Sequence, residues 1–128
     1  MPYNSAMTKI LLMALLLLPT AAVAQDTAQV RRMFEAGQYQ QVIETTGDAG
    51  APEAIYTAAQ SYQRLGSVAE ARDTYARLVA RPEDDPWHFI GLSGQQLLDG
   101  DTDGALASAQ QAAGMAGGLP EAHFQVGL

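Results

Sequence analysis

Residues 85–98 read Asp-Pro-Trp-His-Phe-Ile-Gly-Leu-Ser-Gly-Gln-Gln-Leu-Leu and begin as a helix is expected to begin. Asp85 can act as the N-cap, and Pro86 takes the first helical position, where a missing N–H group costs nothing. The same landmarks recur every 34 residues, as Pro52, Pro86 and Pro120 and as Gly66 and Gly100. Self-similarity at this period is typical of a helical repeat array rather than of a single globular core.

Apolar residues at helical spacing predict three successive pairs of helices. The pairs are expected over residues 26–36 and 38–46, 52–65 and 68–80, and 86–98 and 105–115. Gly37 and Gly66 end the first helix of their pairs, and residues 100–104 form the corresponding turn in the third pair.

Antiparallel helix pairs with this period resemble tetratricopeptide repeats. Counted from each proline, the small residue that the family has at position eight falls on Ala59 and Ser93. The small residue at position twenty falls on Ala71 and Ala105. The resemblance implies an all-α fold, in which antiparallel helix pairs stack as a short superhelical solenoid. An ordinary helical bundle is the alternative.

The repeat predicts how the chain is divided. Residues 1–24 are a signal peptide, 25–51 a degenerate first repeat, 52–85 the second repeat, 86–119 the third, and 120–128 the truncated start of a fourth. The last segment carries Phe124, Val126 and Leu128 without a partner helix. We expect that the gene continues further, or that this apolar segment docks on another chain.

The N-terminal segment carries the features of a secretory signal. Lys9 is the only Lys of the chain, and it precedes an unbroken apolar run over residues 10–18. These residues span roughly 14 Å as a helix, well short of the ~30 Å core of a bilayer. Ala22-Val23-Ala24 predicts cleavage between Ala24 and Gln25, and therefore a periplasmic or secreted protein without stable membrane insertion. An uncleaved anchor is the alternative.

Composition excludes several kinds of function. Because the chain has no Cys, disulfides, thiolate metal sites and a cysteine nucleophile are absent. The 14 acidic residues outnumber the 7 basic ones, which argues against nucleic acid as a partner. No phosphate-binding loop or serine elbow is present, and neither His88 nor His123 is followed by a metal ligand three or four residues later. We therefore expect neither an enzyme nor a cofactor.

Asp99, Asp101, Asp103 and Gly104 match the first half of a calcium loop. The twelfth position holds Gln110 rather than a bidentate Glu, and the segment coincides with the expected turn between two helices. Acidic residues before a helix are favourable for dipole reasons alone. No metal site is therefore predicted, and a weak surface cation site is the alternative.

Resemblance to the repeat family implies a concave groove that holds an extended peptide. The family's groove positions correspond to Glu53, Tyr56, Gln60 and Gln63 in the second repeat, and to Trp87, Ile90, Gly94 and Leu97 in the third. In this interpretation Trp87 and Tyr56 anchor the peptide, Gln60 and Gln63 pair with its amides, and Arg31 and Arg64 bind its carboxylates.

The third repeat supports the groove hypothesis, because its first helix is apolar on two sides. Such a helix must bury both sides or bind a partner. The alternative is that Trp87 and Leu97 pack against the next repeat. The predicted function is an interaction scaffold or adaptor in the periplasm that binds a protein or peptide. A self-associating structural module that forms homo-oligomers, or an accessory region of a longer cell-envelope protein, is the alternative.

Overall fold

A computed structural model of the chain describes residues 19–47, 50–115 and 120–121, with side chains from residue 27 onward. These residues form six helices and no strand. The helices are α1 (Pro19–Glu35), α2 (Tyr39–Thr46), α3 (Pro52–Arg64), α4 (Val68–Val79), α5 (Pro86–Leu98) and α6 (Thr102–Ala113). The predicted all-α fold is confirmed. The apolar residues Phe124, Val126 and Leu128 lie outside the described residues, as do residues 1–18 of the predicted signal peptide.

The helices repeat with the period of the sequence. α3 and α5 both have 13 residues and both begin at a proline, while α4 and α6 both have 12 residues. Each helix of the third pair starts 34 residues after its counterpart in the second pair. The spacing of prolines and glycines therefore corresponds to a repetition of the whole helix–turn–helix unit.

Three turns with the same backbone geometry join the helices within each pair. Gly37, Gly66 and Gly100 have φ angles of 76°, 77° and 78°. In each turn the glycine N–H donates to the carbonyl three residues earlier, and the following N–H donates to the carbonyl five residues before it. This is the Schellman pattern, which needs a left-handed residue and therefore favours glycine.

Every helix packs on the helix before and after it, and α1 also packs on α3. α4 and α5 are antiparallel, since the start of each helix contacts the end of the other. The ring of His88 lies on the carbonyl of Val79 at one end, and Asp99 pairs with Arg72 at the other. α5 thereby joins the second and third helix pairs into one continuous stack.

The buried residues of the second and third pairs occupy equivalent positions. Residues 34 apart are buried at the pairs Ala59 and Ser93, Ala71 and Ala105, Thr74 and Ser108, Tyr75 and Ala109, and Leu78 and Ala112. The small residues allow close helix crossing, as the repeat predicted. Tyr75 and Leu78 take positions that hold alanines in α6. The two helix pairs therefore bury the same positions but differ in the size of the buried side chains.

Two predicted helix starts are corrected. α1 begins at Pro19 rather than at residue 26, because its alanine-rich sequence favours helix and Pro19 is suited to the first turn. α6 begins at Thr102 rather than at residue 105. Asp101 caps it by accepting a hydrogen bond from the N–H of Gly104 at 2.9 Å, so the predicted turn of residues 100–104 is already partly helical.

Candidate functional site

An open groove of about 480 Å³ lies between α1 and α3. We call it the α1–α3 groove, and its main lining residues are Arg31, Phe34, Glu53, Tyr56, Gln60 and Arg64. Pro120 and Glu121, at the start of the predicted fourth repeat, line the same groove. Its volume falls within the range of about 300–1,000 Å³ that is usual for ligand pockets.

Half of the ten predicted groove residues meet in this cavity. They come from two different helices and are Arg31, Glu53, Tyr56, Gln60 and Arg64. Phe34 also lines the groove, although it was not among the predicted groove residues. Phe34 follows Arg31 by three residues, so the two side chains share one face of the helix.

Tyr56 forms the floor of the groove. Its side chain is only 3% exposed, and its ring centre lies 6.2 Å from that of Tyr75 and 6.0 Å from that of Trp87. Gln60 donates from Nε2 to the Tyr56 hydroxyl at 2.9 Å. The ring is thus held from below by aromatic neighbours and from the groove side by an amide, which gives the groove a rigid base.

The two arginines of the groove have different surroundings. Arg31 forms an ion pair with Glu53, so this guanidinium is already engaged by a carboxylate of the chain. Arg64 is exposed, and within the part of the chain that the structure describes it makes no ion pair or side-chain hydrogen bond. Arg64 is therefore the cation of the groove that is available to an acidic group of a ligand.

The third repeat does not present the groove residues that were predicted for it. Ile90 is fully buried in the core, and its assignment to the groove is wrong. Gly94 is also buried. The ring of Tyr75 packs directly on it, and a Cβ at this position would lie 2.5–2.6 Å from the ring atoms. The second apolar side of α5 packs on the preceding helix pair, where the large ring of Tyr75 requires a position without a side chain.

Trp87, Leu97 and Gln63 lie outside the groove. Trp87 is half-buried and packs on the core next to Tyr56, in the preceding repeat rather than the next one. Leu97 is half-buried on α5. Gln63 is exposed, and its Oε1 accepts a hydrogen bond from the hydroxyl of Tyr75.

Tyr75 is held in its neutral form by burial, and its hydroxyl donates a hydrogen bond to Oε1 of Gln63. Burial raises the pKa of the Tyr75 hydroxyl well above its usual value, and the neighbouring Tyr56 raises it further. The hydroxyl thus remains a donor to Gln63 at any ordinary pH. This bond links α4 to the end of α3 beneath the groove.

The remaining motifs have structural roles. Asp99 pairs with Arg72, and Asp101 caps α6. His88 places Nδ1 at 2.8 Å and 3.0 Å from the carbonyls of Val79 and Arg81, so this nitrogen carries a proton and donates to the end of α4. Among the described residues, no group of three or more His, Cys, Asp or Glu is arranged to hold a metal ion.

Comparison with known proteins adds no family assignment. No protein-family model matches the chain, and no curated protein matches it significantly. None of the helices that the structure describes combines the length and the apolar character needed to cross a membrane.

Proposed function

We propose that the protein is an exported binding module whose α1–α3 groove holds a segment of a protein partner. The observation that carries this proposal is the convergence of Arg31, Tyr56, Gln60 and Arg64 on one cavity. The resemblance to the repeat family implies the same four residues as peptide contacts. We further propose that the chain is a tetratricopeptide-type repeat protein of the periplasm, which uses the groove as a scaffold or adaptor.

The chemistry of the groove suits an extended peptide. Phe34 offers apolar surface to a side chain, and the Gln60 amide is a polar group that can pair with a peptide backbone. Tyr56 is too deeply buried to act as the anchor that was predicted, and it supports the groove from below. Arg64 can bind an acidic group of the partner through charge-assisted hydrogen bonds. Arg31 forms an ion pair with Glu53 that joins α1 to α3, so its guanidinium is not a free charge for a ligand.

Charge reversal at Arg64 tests the proposal. Arg64→Glu should weaken partner binding roughly tenfold or more, since a hydrogen bond to a charged group contributes about 1.5–3 kcal/mol. Arg32→Glu is the matched control, because Arg32 is exposed and does not line the groove. Proteins captured from periplasmic extract would be compared by mass spectrometry for both variants and the wild type. Partners bound by the wild type and by Arg32→Glu but lost with Arg64→Glu support the groove, and identical capture by all three contradicts it.

Export is tested separately from binding. We expect the protein isolated from the periplasm to begin at Gln25, because the Ala22-Val23-Ala24 segment fits signal peptidase. N-terminal sequencing of the isolated protein measures this directly. Recovery of the protein in the cytoplasm with an intact first segment would refute the export proposal.

A further inference from the structure

The α1–α3 groove carries charges of both signs. Its charged lining residues are Arg31, Arg64, Glu35, Glu53 and Glu121. Arg31 and Glu53 neutralise each other in their ion pair. Within the part of the chain that the structure describes, the other three form no ion pair. The groove therefore presents one unpaired cation and two unpaired carboxylates to a ligand.

A purely acidic ligand does not fit this balance of charges. Its carboxylate can pair with Arg64, but the rest of the ligand then lies in the same cavity as Glu35 and Glu121. Like charges placed side by side in an interface weaken binding, whereas opposite charges strengthen it. The two carboxylates therefore favour a ligand that also brings a positive group.

The position of Glu35 favours a cation for a second reason. Glu35 is the last residue of α1, where the helix dipole already places partial negative charge. Its carboxylate adds to that charge instead of compensating it. The preceding residue, Phe34, lines the groove, and its ring is held by an edge contact with Tyr39 at 5.3 Å between ring centres. A bound ammonium or guanidinium group would thus meet a carboxylate, the negative end of a helix and an aromatic ring.

The arrangement of the helices sets the spacing of the two charges in the ligand. α1 and α3 run in the same direction, because each packs on α2 and is joined to it by a short connection. Arg64 follows Glu53 by eleven residues, and Glu35 follows Arg31 by four. Since Arg31 pairs with Glu53, Arg64 and Glu35 lie roughly 10 Å apart along the groove. This distance corresponds to about three residues of an extended chain.

We propose that the partner segment held by the α1–α3 groove carries both charges. Its acidic group binds Arg64, and a basic side chain about three residues away binds Glu35 and Glu121. The inference rests on the proposed function, since it names the chemistry of the ligand that the groove holds.

Selection from a phage-displayed library of random peptides tests this proposal. Peptides that are enriched on the full-length wild-type chain but not on Arg64→Glu are ligands of the groove. They should share a basic residue about three positions from an acidic one. Groove ligands that carry acidic residues without a basic one would overturn the inference and leave the proposed function intact. If no enriched peptide depends on Arg64, the proposed function fails as well.

A double-mutant cycle on one enriched peptide measures the basic contact directly. Replacing its basic residue by glutamine should weaken binding to the wild type about fivefold, as expected for an exposed ion pair. The same change should alter the affinity for Glu35→Gln/Glu121→Gln less than about twofold, since the contact is already lost there. Fluorescence anisotropy with labelled peptides gives both ratios.

The matched control is Glu44→Gln/Glu70→Gln. Both residues are exposed, and neither lines the groove, so this protein should show the same fivefold loss as the wild type. Equal losses on all three proteins would overturn the inference, because the basic residue would then bind elsewhere than at Glu35 and Glu121.

Discussion

Gly91→Ala should destabilise the protein, although alanine is the better helix former. A Cβ on Gly91 would lie 2.6 Å from Cβ of Leu78, 2.9 Å from the carbonyl oxygen of Tyr75 and 3.0 Å from the backbone nitrogen of Val79. All three atoms belong to the backbone of α4 or to the first atom of a side chain. None can rotate away, so α4 and α5 must move apart.

Two opposing effects determine the magnitude. Replacing glycine by alanine inside a helix stabilises it by about 1 kcal/mol. Overpacking a tight contact costs typically about 1–3 kcal/mol, and the backbone contacts at Gly91 place it at the upper end of that range. The net loss in free energy of unfolding should be about 1–2 kcal/mol. This corresponds to a fall in melting temperature of roughly 4–8 °C for a domain of this size.

Thermal and urea unfolding followed by far-UV circular dichroism measure the effect. Gly114→Ala is the control, because Gly114 ends α6 at φ −78° and its Cβ would meet only the carbonyls of Gln110 and Gln111 at 3.4 Å and 3.7 Å. This control should be neutral or slightly stabilising. A melting temperature of Gly91→Ala equal to or above that of the wild type would refute the close packing of α4 on α5.

Three further predictions follow from single residues. Gly100→Ala should cost about 1–2 kcal/mol, because a left-handed backbone is unfavourable for a residue with a Cβ, and urea unfolding would measure this loss. Asp101→Ala should remove an N-cap and cost about 1 kcal/mol, whereas millimolar calcium should leave the melting temperature of the wild type unchanged. A calcium-dependent rise in that temperature would contradict the structural role of Asp101. Stability should decrease above about pH 10, because the unfolded chain releases the Tyr75 proton that the folded protein retains, with a slope of up to about 1.4 kcal/mol per pH unit. Urea titrations at several alkaline pH values should show a shallower slope for Tyr75→Phe, and an unchanged slope would exclude Tyr75 as the source.

Local chemistry explains why much of the fold could be predicted. Pro52 and Pro86 mark helix starts because their ring prefers the first turn, and Gly66 and Gly100 mark turns because φ is positive there. Such preferences depend on only a few neighbouring residues, so the helix starts and turns can be predicted from the sequence. The start of α1 was predicted too late, because the alanines around Ala24 fit both a signal-peptide cleavage site and a helix. The sequence pattern alone did not distinguish the two.

The candidate site could be predicted in part. Arg31 was expected to bind a ligand, but Glu53 of α3 pairs with it, and this contact depends on how α1 lies across α3. Glu121 follows Glu53 by two repeat lengths, so its equivalent position could be inferred, but its place in the same cavity could not. A repeat specifies which face each residue occupies in its own unit, whereas the curvature of the stack decides which units face one another.

The sequence by itself determined the helical period, the turns and the small residues at the helix crossings, because each follows from the preference of one residue type for one backbone or packing environment. Only the tertiary structure decided which side of α5 is buried. Both sides of that helix are apolar, and the choice depends on the ring of Tyr75, which fills the space over Gly94. The second apolar side of α5 therefore joins two repeats, and the candidate binding surface lies between α1 and α3 instead.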